Sequence, residues 1–137
     1  MSQRHGDLVL IMQDMWEKWA ALACGAGMGC LMRGNVGEIV AAGGAEAMLR
    51  SIDECWAVSA AAGFPPRAAI TDFCRTHFTA AGSQIKPSML RDIERGSVTE
   101  GDHILGSFAA QARALGVPTP ILDLACIHVA IYEASRG

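Results

Sequence analysis

Few side chains in this sequence could carry chemistry. Lys18 stands between Trp16 and Trp19, and Ser88 and Glu100 lie twelve residues apart further on, with Asp102 just beyond. A lysine amine can serve as a general acid when partial burial draws its pKa toward the working pH, and its cation can stabilise a forming alkoxide. Each residue also has a plain structural reading. A lysine beside tryptophans commonly lays its stem along them and keeps its ammonium in water. Ser88, in the first turn of a helix, can satisfy an orphan backbone N–H. Ser97-Val98-Thr99-Glu100 has the S-x-x-E form of a capping box, which would occupy the Glu100 carboxylate, and Asp102 suits the holding of a helix start.

Other apparent motifs lose their force on inspection. Gly25-Ala26-Gly27-Met28-Gly29-Cys30 looks like G-x-G-x-x-G, but Cys30 holds the third glycine position and the segment follows a helix, where a nucleotide fingerprint follows a strand. His5, His77, His103 and His128 share no metal-ligand spacing, and no nucleophile elbow is present, so no metal site is expected. The five cysteines (Cys24, Cys30, Cys55, Cys74, Cys126) never form C-x-x-C and are odd in number, so they read as small buried hydrophobes in a reducing cytoplasm.

Composition narrows the classes. With 137 residues, 51% of them hydrophobic, the chain is expected to form one domain spanning 1–137 and to bury roughly two-thirds of its unfolded surface. Eleven basic against fourteen acidic residues give a net charge of -3, and no basic run offers phosphate backbones a stripe, which argues against nucleic acid. The longest stretch without charge or histidine, Trp19 to Met32, contains three glycines and falls short of the ~20 residues that a bilayer span needs. No basic region followed by a leucine-rich core marks a signal peptide, so neither a membrane nor export is expected.

Helical periodicity runs through the whole chain. Met12, Met15, Trp16, Trp19, Ala20 and Ala23 repeat at three-four spacing, predicting a helix over about Asp7 to Cys24 that the following glycines loosen or end. Met48, Ile52, Cys55, Trp56 and Ser59 make a second face, closed by Gly63-Phe64-Pro65-Pro66. A third helix is expected over Arg67 to Phe78, and a short fourth between Pro87 and Gly96. Ile104, Leu105, Phe108, Ala112 and Leu115 mark a fifth, stopped by Gly116. Thr119-Pro120 is an N-cap and first-position pair for the last, whose face reads Ile121, Leu124, Ala125, His128 and Tyr132. No alternating β-branched run appears, so the class is all-α, with about six helices.

In order and spacing, Trp16-Glu17-Lys18, Ser88-Met89-Leu90-Arg91-Asp92 and Thr99-Glu100-Gly101-Asp102-His103-Ile104-Leu105-Gly106 resemble the W-x-K, S-M-x-x-D and T-E-x-D-x-I-x-G segments of the C-terminal, substrate-binding domain of ketopantoate reductase (2-dehydropantoate 2-reductase). Weaker matches at Gly37-Glu38-Ile39, Asp53-Glu54-Cys55 and Gly116–Pro120 extend the resemblance from about Asp7 to Tyr132. It implies that Lys18 is the general acid, that Ser88 hydrogen-bonds the polar end of a 2-keto acid, and that Glu100 contacts the substrate hydroxyl and the lysine. It also implies NADPH bound by a preceding dinucleotide-binding domain, which no segment here matches. The residues of this chain that would touch that cofactor are unknown.

The departures bear on the substrate. The family's asparagines four and eight residues after the lysine, which share its helical face, are Leu22 and Ala26 here, and the asparagine of I-N-G is Leu105. Three lost amides remove about 0.5 to 1.5 kcal/mol of hydrogen bonding each, so a more apolar 2-keto acid fits better than ketopantoate. Two classes of function follow. In one, the chain is the substrate half of an NADPH-dependent 2-keto acid reductase, needing a dinucleotide-binding domain in cis or trans for activity. In the other, it is a helical module with a disused site, dimerising or binding a protein through the apolar faces around Trp16, Trp19 and Trp56.

Overall fold

The computed structural model describes residues 3–136, the side chain of Asp102 excepted. Seven α-helices follow one another: α1 (Gln3–Met32), α2 (Val36–Ala41), α3 (Ala45–Ala61), α4 (Ala68–His77), α5 (Ser88–Arg95), α6 (Ser107–Ala114) and α7 (Pro120–Arg136). A π-helical turn (Asp102–Gly106) leads into α6. No strand occurs among the described residues, so the class is all-α, as the periodicity predicts.

α1 is the axis of the fold. Its 30 residues run straight through the glycines expected to break it, about 45 Å at 1.5 Å per residue. Those glycines are close-packing points. A Cβ on Gly27 would lie 3.4 Å from Ala125 of α7, and one on Gly25 would lie 3.4 Å from the Phe78 ring. Tertiary contact thus outweighs the ~1 kcal/mol that glycine costs a helix interior. The helix ends at Arg33, whose φ of 58° turns the chain, while Gly34 N–H closes back on the Gly29 carbonyl at 3.3 Å.

Around that axis one continuous core joins Ala20 and Ala23 of α1, Ile52 of α3, Leu90 of α5, Phe108 of α6 and Ala125 of α7. Trp16 and Trp56 are buried in it, which removes them from the surface and corrects the idea that their faces serve a partner. The exposed apolar residues lie elsewhere. They cluster at Leu8–Met12, in the first turns of α1, and at Leu124, Ile127 and Ile131 on α7.

One helix is added and two expectations change. The Asn35–Glu38 pair forms a reciprocal capping box for α2, a helix that the sequence reading passed over (Glu38 N–H to Asn35 Oδ1 2.8 Å, Asn35 N–H to Glu38 Oε1 2.9 Å). The Ser97-to-Glu100 box does not form: the helix begins at Gly101, and Glu133 of α7 accepts the Thr99 N–H and hydroxyl instead (3.0 and 2.8 Å). On α7 the buried residues are Leu122, Ala125 and Val129, with Leu124 on the outside. That helix is apolar almost all round, so periodicity could not select its face; glycines 27 and 101, against Ala125 and Val129, do.

Candidate active site

Lys18 owes its direction to the tryptophans on either side. Trp16 and Trp19 stack at 5.2 Å between ring centroids, and Trp19 meets Phe108 edge-on, also at 5.2 Å. Trp19 Nε1–H donates to the Ile104 carbonyl at 3.2 Å. These contacts fix the rotation of α1 and turn Lys18, 100° further round the helix, away from the core and into a cavity of about 460 Å³.

Lys18, Leu22 and Ala26, spaced by four, form one stripe along that cavity. Leu22 is 46% exposed at its edge and Ala26 is buried. Ser88, at the start of α5, lines the same cavity and makes no side-chain hydrogen bond among the described residues. The walls between are apolar: Val36 and Ile39 of α2, Met48 of α3, Phe78 after α4 and Ile104 of the π turn.

Several local devices put Ser88 there. Pro87 rests on Gly29, and the preceding loop is pinned to the start of α2 by Val36 N–H to Ile85 O (3.0 Å) and Gly37 N–H to Ser83 O (2.8 Å). A Cβ on Gly37 would lie 2.6 Å from that Ser83 oxygen, so only glycine admits the loop.

Four of the five candidate residues, Lys18, Leu22, Ala26 and Ser88, therefore share one cavity. Glu100 is not among its lining: it is exposed, and its carbonyl accepts the Ile104 N–H at 3.0 Å in the turn whose Ile104 closes the cavity. The side chain of Asp102 lies outside the described residues. Leu105 is buried in the core behind that turn.

One charged cluster at the Lys18 end of the cavity was not foreseen. Glu17 is buried, and its carboxylate accepts the Arg67 backbone N–H (2.8 Å), Arg67 Nε–H (3.1 Å), Arg67 Nη2–H (2.5 Å) and Gln13 Nε2–H (3.0 Å). The Arg67 guanidinium, working against burial, holds the Glu17 carboxyl down to about 2. Arg67 Nη2 also pairs with Asp14. Lys18 itself makes no ion pair or hydrogen bond among the described residues. The acidic neighbour of the lysine was visible in the sequence; its partner, fifty residues away, was not.

The glycine run does not form a nucleotide-binding turn. Residues 25–30 lie inside α1, where their N–H groups are bonded within the helix and cannot cradle a pyrophosphate. Among the described residues no three of His, Cys, Asp and Glu converge as a metal would require.

Comparison with known proteins agrees with this architecture. The family model for the ketopantoate reductase PanE/ApbA C-terminal domain matches residues 10–133. The uncharacterized oxidoreductase YkpB of Bacillus subtilis (strain 168) is 32% identical over 127 residues, covering 92% of this chain and 42% of that protein. Dimeric ketopantoate reductase from Staphylococcus aureus superposes with a TM-score of 0.80 at 21% identity, covering 93% of this chain and 45% of that one. D-mandelate dehydrogenase in complex with NADH and anilino(oxo)acetate gives 0.73 at 21% identity, covering 90% and 41%. The chain thus spans less than half the length of these relatives. A helical domain without a strand, a cavity closed by α1, α5 and the π turn, and a family match over nine-tenths of the sequence lead to one assignment: the chain belongs to the ketopantoate reductase family, as its C-terminal domain.

Proposed function

We propose that this chain is the substrate-binding and general-acid half of an NADPH-dependent 2-keto acid reductase of the cytoplasm, active once a dinucleotide-binding domain, in the same polypeptide or a separate one, completes the site. The observation that carries this reading is the sharing of one cavity by Lys18 and Ser88, seventy residues apart in sequence. The Ser88 hydroxyl donates to the substrate carboxylate, and the Lys18 ammonium gives its proton to the ketone oxygen as the carbon is reduced. The hydride comes from the nucleotide that the second domain holds. Glu100 enters by resemblance alone, one turn before Ile104. Leu22 and Ala26, where the family has asparagines, favour a keto acid less hydroxylated than ketopantoate.

The test is reconstitution. With a dinucleotide-binding domain supplied, NADPH oxidation should follow a bulky apolar 2-keto acid better than ketopantoate. Lys18→Met should lower kcat by ~10²–10⁴-fold, the usual worth of a general acid. Steady turnover by the 137-residue chain alone, or an unaffected Lys18→Met, would overturn the reading.

A second reading, a helical interaction module, is favoured by one observation. Leu124, Ile127 and Ile131 form a stripe on α7 and are each more than half exposed. Sedimentation of the native chain against Ile127→Asp tests whether that stripe joins two copies.

A further inference from the structure

The family resemblance says nothing of Arg67, yet the structure gives it a particular position. Asp14 stands four residues before Lys18 on α1, the order and spacing at which an acidic side chain pairs with a lysine along a helix surface. Glu17 is the adjacent residue and lines the same cavity. Lys18 therefore has two carboxylates within its own two turns of helix. It pairs with neither: Arg67, reaching over from the start of α4, takes Glu17 through its backbone N–H, Nε and Nη2, and Asp14 through Nη2. Gln13 completes the enclosure, donating from the same Nε2 to Glu17 (3.0 Å) and to the Pro65 carbonyl (2.9 Å).

We propose that Arg67 is a positioning residue for Lys18: anchored on buried Glu17, it withholds Asp14 from the lysine, so that the ammonium remains unpaired in the cavity and available to a ligand oxygen. This deepens the reading of Lys18 as general acid and rests on it for its functional meaning. The reason is chemical. An ammonium locked against a carboxylate one turn away would be held out of line with a ketone, and the anion would also bind its proton more firmly. A guanidinium is suited to the task, because its planar fork engages two carboxylates at once and does not itself deprotonate. The remaining walls bring no competing charge. α2, α3, α4, α5 and the π turn present Val36, Met48, Ile70, Ser88 and Ile104 to the cavity, so Asp14 and Glu17 are the charged residues that line it with Lys18, and Arg67 pairs with both.

The chain has only two lysines, Lys18 and Lys86, so a lysine-labelled sample gives two side-chain NMR signals whose titrations can be followed separately. Lys86, paired with Glu94 at 2.7 Å, serves as the internal reference. In Arg67→Met, Asp14 is released toward Lys18 and one nearby cation is lost; both changes favour the ammonium. The Lys18 side-chain signal should therefore move its midpoint to higher pH than in the native chain, while that of Lys86 stays in place. Arg67→Lys, which keeps the charge, should give a smaller rise. A purely structural Arg67 would lower the melting temperature and leave the Lys18 titration in place.

Should Arg67→Met fail to fold because buried Glu17 is left unpaired, E17Q/R67M removes that burden while leaving Asp14 free to pair with Lys18. The Lys18 pKa should rise in that variant and fall back when D14N is added. An unchanged Lys18 titration in folded E17Q/R67M would overturn the proposal. The titration needs no turnover, so its outcome is separate from the Lys18→Met assay that tests the reductase reading.

Discussion

Gly29 and Pro87 touch across the α1–α5 junction so closely that a Cβ on residue 29 would lie 2.5 Å from the Pro87 Cγ. This contact sets the distance between the lysine stripe and Ser88, because Pro87 is the residue on which α5 begins. Gly29→Ala should destabilise the fold by about 1 to 2 kcal/mol, an overpacking cost only partly offset by the better helix propensity of alanine. Gly25→Ala, one turn earlier on the same helix, meets only ordinary contact with Phe78 at 3.4 Å and should be neutral or up to ~1 kcal/mol stabilising. Urea midpoints of the two variants check the contrast; equal destabilisation would show that Pro87 does not depend on the missing side chain.

Acid should unfold the protein partly through Glu17. Its folded-state pKa of about 2 lies below the ordinary 4.5, so the stabilisation is fully present above the unfolded value and is lost as pH falls from about 5 toward 2. Because its main partner Arg67 is half exposed and screened by water, the contribution should reach at most roughly 3 kcal/mol. Urea denaturation between pH 7 and pH 3 should show the decline in the native chain and a visibly flatter profile in Glu17→Gln.

Restoring the family's amides should move selectivity. Leu22→Asn and Ala26→Asn put hydrogen-bonding groups back on the stripe that carries Lys18. In the reconstituted enzyme each should raise kcat/KM for ketopantoate relative to a bulky apolar 2-keto acid by about 2- to 12-fold, the equivalent of 0.5 to 1.5 kcal/mol. A ratio unmoved by both would separate this stripe from substrate recognition.

Four of the five thiols should be inert in the native state. Burial pushes Cys24 and Cys30 up to about 12, and Cys55 and Cys74 upward as well, so little thiolate exists at neutral pH. A chromogenic disulfide reagent should leave these four unmodified over minutes and titrate all five cysteines only in denaturant.

Much of the fold was legible because it rests on local signals. The apolar face Met48, Ile52, Cys55, Trp56, Ser59 of α3 is buried as its spacing predicts, and Gly96 and Gly116 end α5 and α6 with φ of 73° and 72°. The glycine run of α1 misled for an equally physical reason. Glycine lowers helix propensity wherever it occurs, and only the approach of Phe78, Ala125 and Pro87 shows why a helix would carry three of them. Asn35-x-x-Glu38 was a readable capping signal hidden by the shortness of α2.

By itself the sequence determined the all-α class, the family through its ordered W-x-K, S-M-x-x-D and T-E-x-D-x-I-x-G segments, and the residues to inspect, since these follow from residue type and spacing along the chain. Tertiary structure decided which of them meet. It placed Lys18, Leu22, Ala26 and Ser88 on one cavity and left Glu100 outside its lining. It chose the buried face of α7 and gave Asp14 and Glu17 to Arg67 instead of Lys18. These outcomes depend on close approaches between segments tens of residues apart, which helical periodicity does not encode.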